Sequence, residues 1–310
     1  MAEELNPKVS VCMITYKHEE YIEQAIEGVL SQITNFPIEL VIGEDASPDT
    51  TASKIQQFCD SDSVKIRARF NVDNLGMINN FVRTLSECKG EYIALLEGDD
   101  LWTDTNKLQR QVDFLEANRE FSMCYHPVTV MRNDKVEADT LTLDVPDVSD
   151  IKVLARGNFM HTCSVVFRAR LFDEFPSSYF SSSVGDYFLH MLNARYGFIK
   201  RLPQIMGTYR VHDGGVWSSQ VGIDLKILNY LEAMIGCFDS EIDQLLKERH
   251  SVVAYKSFYN RINEDGFEAR LQRCLKYGDE TFSNEIKNLV KWEKASRGSL
   301  IIKNIRKIFY

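Results

Sequence analysis

The sequence predicts an α/β fold: a mostly parallel central sheet, doubly wound with helices on both faces, followed by a helical C-terminal extension. Three observations lead there. The first third alternates short apolar runs with helix-period segments, which is the rhythm of βαβ units. The first of these runs, Val9 to Thr15, is continuously apolar and rich in β-branched residues, as a strand covered on both faces requires. From about Ser218 the strand signals stop and helical patterns run to the end. The chain therefore divides into an α/β domain, residues 1–217, and a helical extension, residues 218–310.

Taken in order, Val9 to Thr15 is the first strand, and Glu20 to Gln32 carries Ile22, Ala25, Ile26, Val29 and Leu30 at helical spacing. Ile38 to Ile42 is a second strand, and Ser47-Pro48-Asp49 turns the chain into a helix through Ile55 and Phe58. Val64 to Phe70 is a third strand, Ile78 to Cys88 a helix, Tyr92 to Leu96 a fourth strand, and Asn106 to Asn118 a helix. Phe121 to Arg132 reads as strand material broken at Pro127, and Asn133 to Asp150 as a polar, acidic loop. Thr162 to Arg168 is read as a strand, Val184 to Tyr196 as a helix opening on Gly185-Asp186, and Ile205 to Val211 as a strand ending in His212-Asp213-Gly214-Gly215.

The bulk numbers narrow the function. A formal charge of −9 provides no general positive field for phosphates, so nucleic acid is not an expected partner. The 7 cysteines form no CxxC pair, which suits a reducing compartment and gives no thiolate zinc site. Met1 to Lys8 is polar and acidic rather than a signal peptide, and no apolar run is long enough to span a bilayer. A cytoplasmic protein is expected, located either in solution or at the inner face of the membrane.

A parallel sheet binds ligands beyond the carboxyl ends of its strands. That rule selects Thr15-Tyr16-Lys17-His18, Glu44-Asp45-Ala46-Ser47 and Glu97-Gly98-Asp99-Asp100. Three carboxylates within the four residues of the last cluster repel one another unless a cation sits among them. Mg²⁺ or Mn²⁺ bound to Asp99 and Asp100 would also neutralise a diphosphate; the alternative is a solvated acidic turn that caps the next helix. Asp45 can accept from a base N–H or from ribose hydroxyls, or can form an Asx turn with Ser47 and Thr50. Asp186, at a helix start, is either a capping carboxylate or a general base for an attacking hydroxyl. His212 and Arg210 sit beside two glycines, with Tyr209 and Trp217 nearby. That suits a loop closing on phosphate, in which Arg210 pairs with phosphate and His212 ligates metal or donates to an oxygen. His161 is a candidate for the acceptor pocket.

At this point the motifs resemble a known family. Val9-Ser-Val-Cys-Met-Ile-Thr-Tyr16, Glu44-Asp-Ala-Ser47, Asn74-Leu-Gly76 and Glu97-Gly-Asp-Asp-Leu-Trp102, in this order, are similar to family-2 glycosyltransferases of the GT-A fold. Gly157 to Arg168, Gly185-Asp186-Tyr187 and Tyr209 to Trp217 resemble members that build bacterial surface polysaccharides. The resemblance covers about Val9 to Ser218. It implies that Thr15, Tyr16 and Asp45 hold the base and ribose, that Asp99 and Asp100 match the acidic motif for ribose and metal, and that Asp186 is the base. It further implies an inverting transfer from a UDP- or dTDP-type sugar to a glycan or lipid-linked acceptor. Four positions depart from the pattern: Glu97 stands where many members have Asp, Gly185 where they often have Glu, and Lys17-His18 where a small polar pair is usual.

Two rival readings are weighed against this one. A sugar nucleotidyltransferase would carry a Gly-rich loop after the first strand, and Thr15 to Glu20 contains no glycine. A non-catalytic sugar-nucleotide-binding or assembly subunit would have lost its carboxylates, yet Asp99, Asp100 and Asp186 are all present. The basic, apolar-striped stretch Lys291 to Tyr310 reads as a helix packed on protein, a second copy of the chain in a homo-oligomer included, or lying on an anionic membrane.

Overall fold

Strands β1 (Val9–Thr15), β2 (Ile38–Glu44), β3 (Lys65–Phe70) and β4 (Tyr92–Glu97) are mutually parallel, in the spatial order β3-β2-β1-β4. The computed structural model describes residues 6–59, 64–142, 144–215, 222–260, 267–278, 283–284 and 286–287. Helices α1 (Ile22–Leu30), α2 (Thr51–Phe58) and α3 (Met77–Ser86) supply the crossovers. α1 buries Ile22, Ala25, Ile26 and Val29 as one stripe, as the helical spacing predicts. β1 and β2 are buried almost throughout, whereas β3 alternates Arg67 and Arg69 with apolar residues because it forms the sheet edge.

Register matters more for the site than strand count does. Thr15 pairs with Glu44, and Ile14 with Glu97. The carboxyl ends of β1, β2 and β4 therefore finish level, and the residues that follow them share one rim.

The chain then becomes mixed. After β5 (Leu101–Trp102) and α4 (Lys107–Ala117), β6 (Phe121–Tyr125) joins the main sheet. β7 (Thr129–Arg132) and β8 (Lys135–Glu137) belong to a second, four-stranded sheet. Pro127, which has no N–H to donate, stands where the chain leaves one sheet for the other. β9 (Val148–Ser149), α5 (Ile151–Arg156), β10 (Val166–Arg168), α6 (Asp186–Asn193), β11 (Phe198–Arg201) and β12 (Gly207–Val211) complete the order. The main sheet is β3-β2-β1-β4-β10-β6-β11-β9 and the small one β5-β12-β7-β8.

Two expectations change. Residues 133–150 are not all loop, since they contain β8 and β9. Nor is Thr162–Arg168 one strand. Thr162–Ser164 is a 3-10 turn, because Ser164 returns both its N–H (2.9 Å) and its hydroxyl (2.7 Å) to the His161 carbonyl. Such local bonding competes with a sheet ladder. Only Val166–Arg168 pairs, and it runs antiparallel to β4.

The helical extension contributes α7 (Ile223–Met234), α8 (Ser240–Asn260) and α9 (Phe267–Leu275). Tyr230, Leu231, Met234, Ile242 and Leu246 enter the same apolar core as Ile93 and Leu95 of β4. Arg249 of α8 donates to the hydroxyls of Tyr187 and Tyr230, each at 2.8 Å, which ties the extension to the helix that begins with Asp186. Among the described residues no helix is long and apolar enough to cross a membrane. The basic stretch 291–310 lies outside the described residues.

Candidate active site

A cavity of about 310 Å³ opens at the carboxyl ends of β1, β2 and β4. Thr15, Tyr16, Asp45, Asp99, Asp186 and Arg210 all line it, with Glu97, Thr162 and His18. Its floor is apolar, formed by Ile14, Ile78, Phe81 and Leu95 among others. A larger groove of about 570 Å³ lies at the opposite end of the strands, near Asn6, Phe36, Ile38 and Val64. It has none of the strand-end carboxylates, and a parallel sheet presents its ligand site at the other end.

Asp45 is held rigidly. Oδ1 accepts from Leu75 N (2.8 Å) and Asn71 Nδ2 (2.9 Å), and Oδ2 from Gly76 N (3.0 Å). These partners replace the Asx turn with Ser47 and Thr50. Oδ2 keeps acceptor capacity on the cavity side. The hydroxyl of Thr15 is buried without a hydrogen-bond partner, and Tyr16 is 40% exposed, leaving its ring open to solvent.

Asp99 lies between two imidazoles. Its Oδ2 is 2.9 Å from His212 Nε2 and 3.5 Å from His18 Nε2. Burial alone would raise its pKa, but the His212 hydrogen bond and the positive potential of both rings hold it below the usual carboxylate range. The same hydrogen bond raises His212, while burial lowers His18. One ligand atom from each of His18, Asp99 and His212 can be chosen so that all lie within 4.8 Å of one another. Two imidazoles and a carboxylate form a donor set suited to a divalent transition metal, so these residues fit a cation.

Asp100 differs from the expectation of a metal ligand. It is absent from the cavity lining; its Oδ1 accepts from Arg210 N (2.9 Å) and its Oδ2 is buried without a partner. The cause is the pairing of β12 with β5, which lays Arg210 across the acidic turn, where its guanidinium also donates to the Asp99 carbonyl at 2.9 Å. Burial, and then the charge of Asp99, push Asp100 well above the usual range.

Asp186 is the first residue of α6, and its Oδ2 accepts from Thr162 Oγ1 at 2.9 Å. Glu97 lies close enough for its carboxyl to be raised, chiefly by burial and then by the charges of Asp99, Asp100 and Asp186. The glycine before Asp186 has a steric reason: a Cβ on Gly185 would meet Tyr179 OH at 2.8 Å and Ile78 at 3.2 Å. A glutamate, frequent at this position in the family, would require Tyr179 to move.

His161 turns away from the cavity. It bonds to Asp139 at 3.0 Å and packs on the Tyr209 ring at 4.8 Å, so it braces the small sheet rather than facing the cavity. Trp217 lies outside the described residues. Sequence reasoning missed Thr162 as a site residue, and it placed His18 in the first strand-end cluster without giving it a role. The left-handed backbone of Lys17 (φ 60°) swings His18 inward, and such a conformation leaves little trace at a lysine.

A sequence model of glycosyl transferase family 2 matches residues 10–172. The chain belongs to this family. An uncharacterized protein of Mycobacterium tuberculosis is 36% identical over 217 residues, which is 68% of this chain and 61% of that protein. The chain thus spans 61% of the length of the mycobacterial relatives it matches. The Escherichia coli protein WfaP, named as a UDP-Glc:alpha-D-GlcNAc-diphosphoundecaprenol beta-1,3-glucosyltransferase, is 26% identical over 88% of this chain and 98% of its own. Among solved structures, S. aureus TarS in complex with UDP-GlcNAc has a TM-score of 0.66 at 16% identity, covering 89% of this chain and 82% of that one. A mannosyltransferase of Pyrobaculum calidifontis with GDP-Man and Mn²⁺ has a TM-score of 0.62 at 15% identity, covering 93% and 81%. These structural likenesses establish the fold, which is GT-A.

Proposed function

We propose that the chain transfers a sugar from a UDP- or dTDP-type nucleotide sugar to a hydroxyl of a glycan or lipid-linked acceptor, with inversion, in surface-polysaccharide synthesis. The observation that supports the proposal is one cavity at the strand ends lined by Asp45, Asp99 and Asp186 together. WfaP, named for UDP-Glc and a diphosphoundecaprenol-linked sugar, supports the donor and acceptor classes.

In this reading Asp45 and Thr15 take the base and ribose, and Tyr16 supplies an exposed ring against the base. Asp99 and His212 would hold a divalent cation, Mn²⁺ or Mg²⁺, which when bound offsets the charge of the departing diphosphate. Arg210 lines the same cavity and would pair with phosphate. Asp186 accepts the proton of the acceptor hydroxyl as that oxygen bonds to the anomeric carbon and the bond from that carbon to the phosphate oxygen breaks. One base and one displacement give inversion, by the same logic as in inverting glycosidases. Holding donor and hydroxyl in line supplies much of the rate, because the leaving group is already activated.

The test is a panel of UDP-, dTDP- and GDP-sugars incubated with Mn²⁺ and an undecaprenyl-diphosphate-linked sugar, with release of nucleoside diphosphate followed. Acceptor-dependent release from a UDP- or dTDP-sugar is the expected result. Release only from GDP-sugars would overturn the donor class, and no release from any donor would overturn the activity.

A further inference from the structure

We propose that His18, on the turn after β1, is a third protein ligand to the divalent cation beside Asp99 and His212, making a site of two imidazoles and one carboxylate that selects Mn²⁺ over Mg²⁺. This rests on the reading above that a cation binds at Asp99.

The backbone is built to deliver this ring. Lys17 adopts the left-handed conformation (φ 60°), and its N–H donates to Ser47 Oγ at 3.0 Å. The His18 N–H donates to Thr51 Oγ1, also at 3.0 Å. Two hydroxyls, Ser47 in the β2–α2 connection and Thr51 at the start of α2, thus fix a turn that a lysine does not favour. The imidazole that results is 15% exposed and lies against Gly98, where a Cβ would come within 3.0 Å of Nδ1 and 2.6 Å of Thr15 Oγ1. Gly98 is therefore the space into which the ring closes.

The ring's own bonding is incomplete. Nδ1 is buried without a hydrogen-bond partner, and Nε2 stands 3.5 Å from Asp99 Oδ2, longer than a good hydrogen bond. His212, by contrast, sits at 2.9 Å from the same oxygen. A partly buried imidazole at this separation from a carboxylate, with a second imidazole on the same oxygen, matches the spacing of co-ligands of one ion. Asp100, the oxygen donor that would favour a hard cation, lies outside the cavity lining, with Oδ1 accepting from Arg210 N. Mg²⁺ favours oxygen ligands and near-ideal octahedra, whereas imidazole suits later metals.

The probe is Mn²⁺ alone and with UDP, added to the full chain and followed by electron paramagnetic resonance and by electron spin echo modulation from imidazole nitrogen. The wild-type protein is expected to show two coordinated imidazoles and His18→Gln one, with Mn²⁺ affinity reduced at least about tenfold, the loss that even an outer-shell change produces. Mg²⁺ should displace Mn²⁺ poorly from wild type and more readily from His18→Gln. Gly98→Ala, which keeps every ligand but crowds the ring, should also weaken Mn²⁺. A single imidazole on wild-type-bound Mn²⁺ would overturn the role of His18 and leave the transferase reading standing. No bound Mn²⁺ with or without UDP would overturn the cation site itself. The wild-type spectrum decides the matter even where a variant fails to fold.

Discussion

The two halves of the main sheet are built differently and are readable to different degrees. On one side of the seam between β4 and β10, the strands are parallel, those at the rim end level, and Thr15, Asp45 and Asp99 line the cavity there. Across it, short antiparallel and parallel pieces are joined by long irregular connections, and these bring in Thr162 and Asp186. The parallel half is a repeated local rule, so its chemistry falls at predictable positions. The mixed half is assembled by contacts between distant residues, so its chemistry depends on how particular loops are tied.

The sharpest way to break this contrast is Asp186→Asn, which leaves the parallel half intact. It is expected to cost roughly 10²–10⁴ in kcat, the range for a lost general base, while donor affinity stays within error. Loss of donor binding in this variant would mean the two halves do not divide the work as described. A smaller effect is expected from Thr162→Val, which keeps shape but removes the hydroxyl that orients Asp186. A drop of about tenfold to a hundredfold in kcat with little change in donor KM fits a positioning role, and Thr162→Ser should restore most of it. Equal kcat in Thr162→Val and wild type would remove Thr162 from the site.

The seam itself offers the smallest effect, seen in stability rather than turnover. Lys107 is fully buried, its ammonium 4.1 Å from the Trp102 ring centroid and 2.6 Å from Gln111 Oε1, while Gln111 holds the Ser164 carbonyl of the 3-10 turn at 2.9 Å. Burial pulls its pKa from 10.5 down to about 7. Between those values the unfolded chain binds a proton that the folded chain does not, so stability from this group rises with pH across that window. Below it both states are charged and the burial penalty applies in full. Lys107→Met should therefore raise Tm at neutral pH and flatten its rise toward about pH 9. A Lys107→Met protein with the wild-type slope would show that another group controls it.

The same contrast explains what the sequence discloses. β1 to β4, their helices and the rim positions of Asp45 and Asp99 follow from hydrophobic period and the strand-end rule alone. The same rule selects His18 but not the direction of its ring, which is set by a left-handed lysine and by the hydroxyls of Ser47 and Thr51. Asp100 looks equivalent to Asp99 in sequence, and only the pairing of β12 with β5, which lays Arg210 N against it across 110 residues, separates them. His161 is likewise claimed by Asp139, 22 residues away in a stretch that reads as loop. Thr162 is hidden because a Thr-Cys-Ser run inside apolar sequence reads as strand, whereas local side-chain bonding curls it into a turn.

Calorimetric titration of UDP into the full chain with Mn²⁺ addresses the strand-end cavity itself. Binding should be strong in wild type and in Asp186→Asn, and lost or weakened by roughly a hundredfold in Asp99→Asn, since the imidazole-flanked carboxylate is removed. Undiminished UDP binding by Asp99→Asn would show that the nucleotide sits elsewhere.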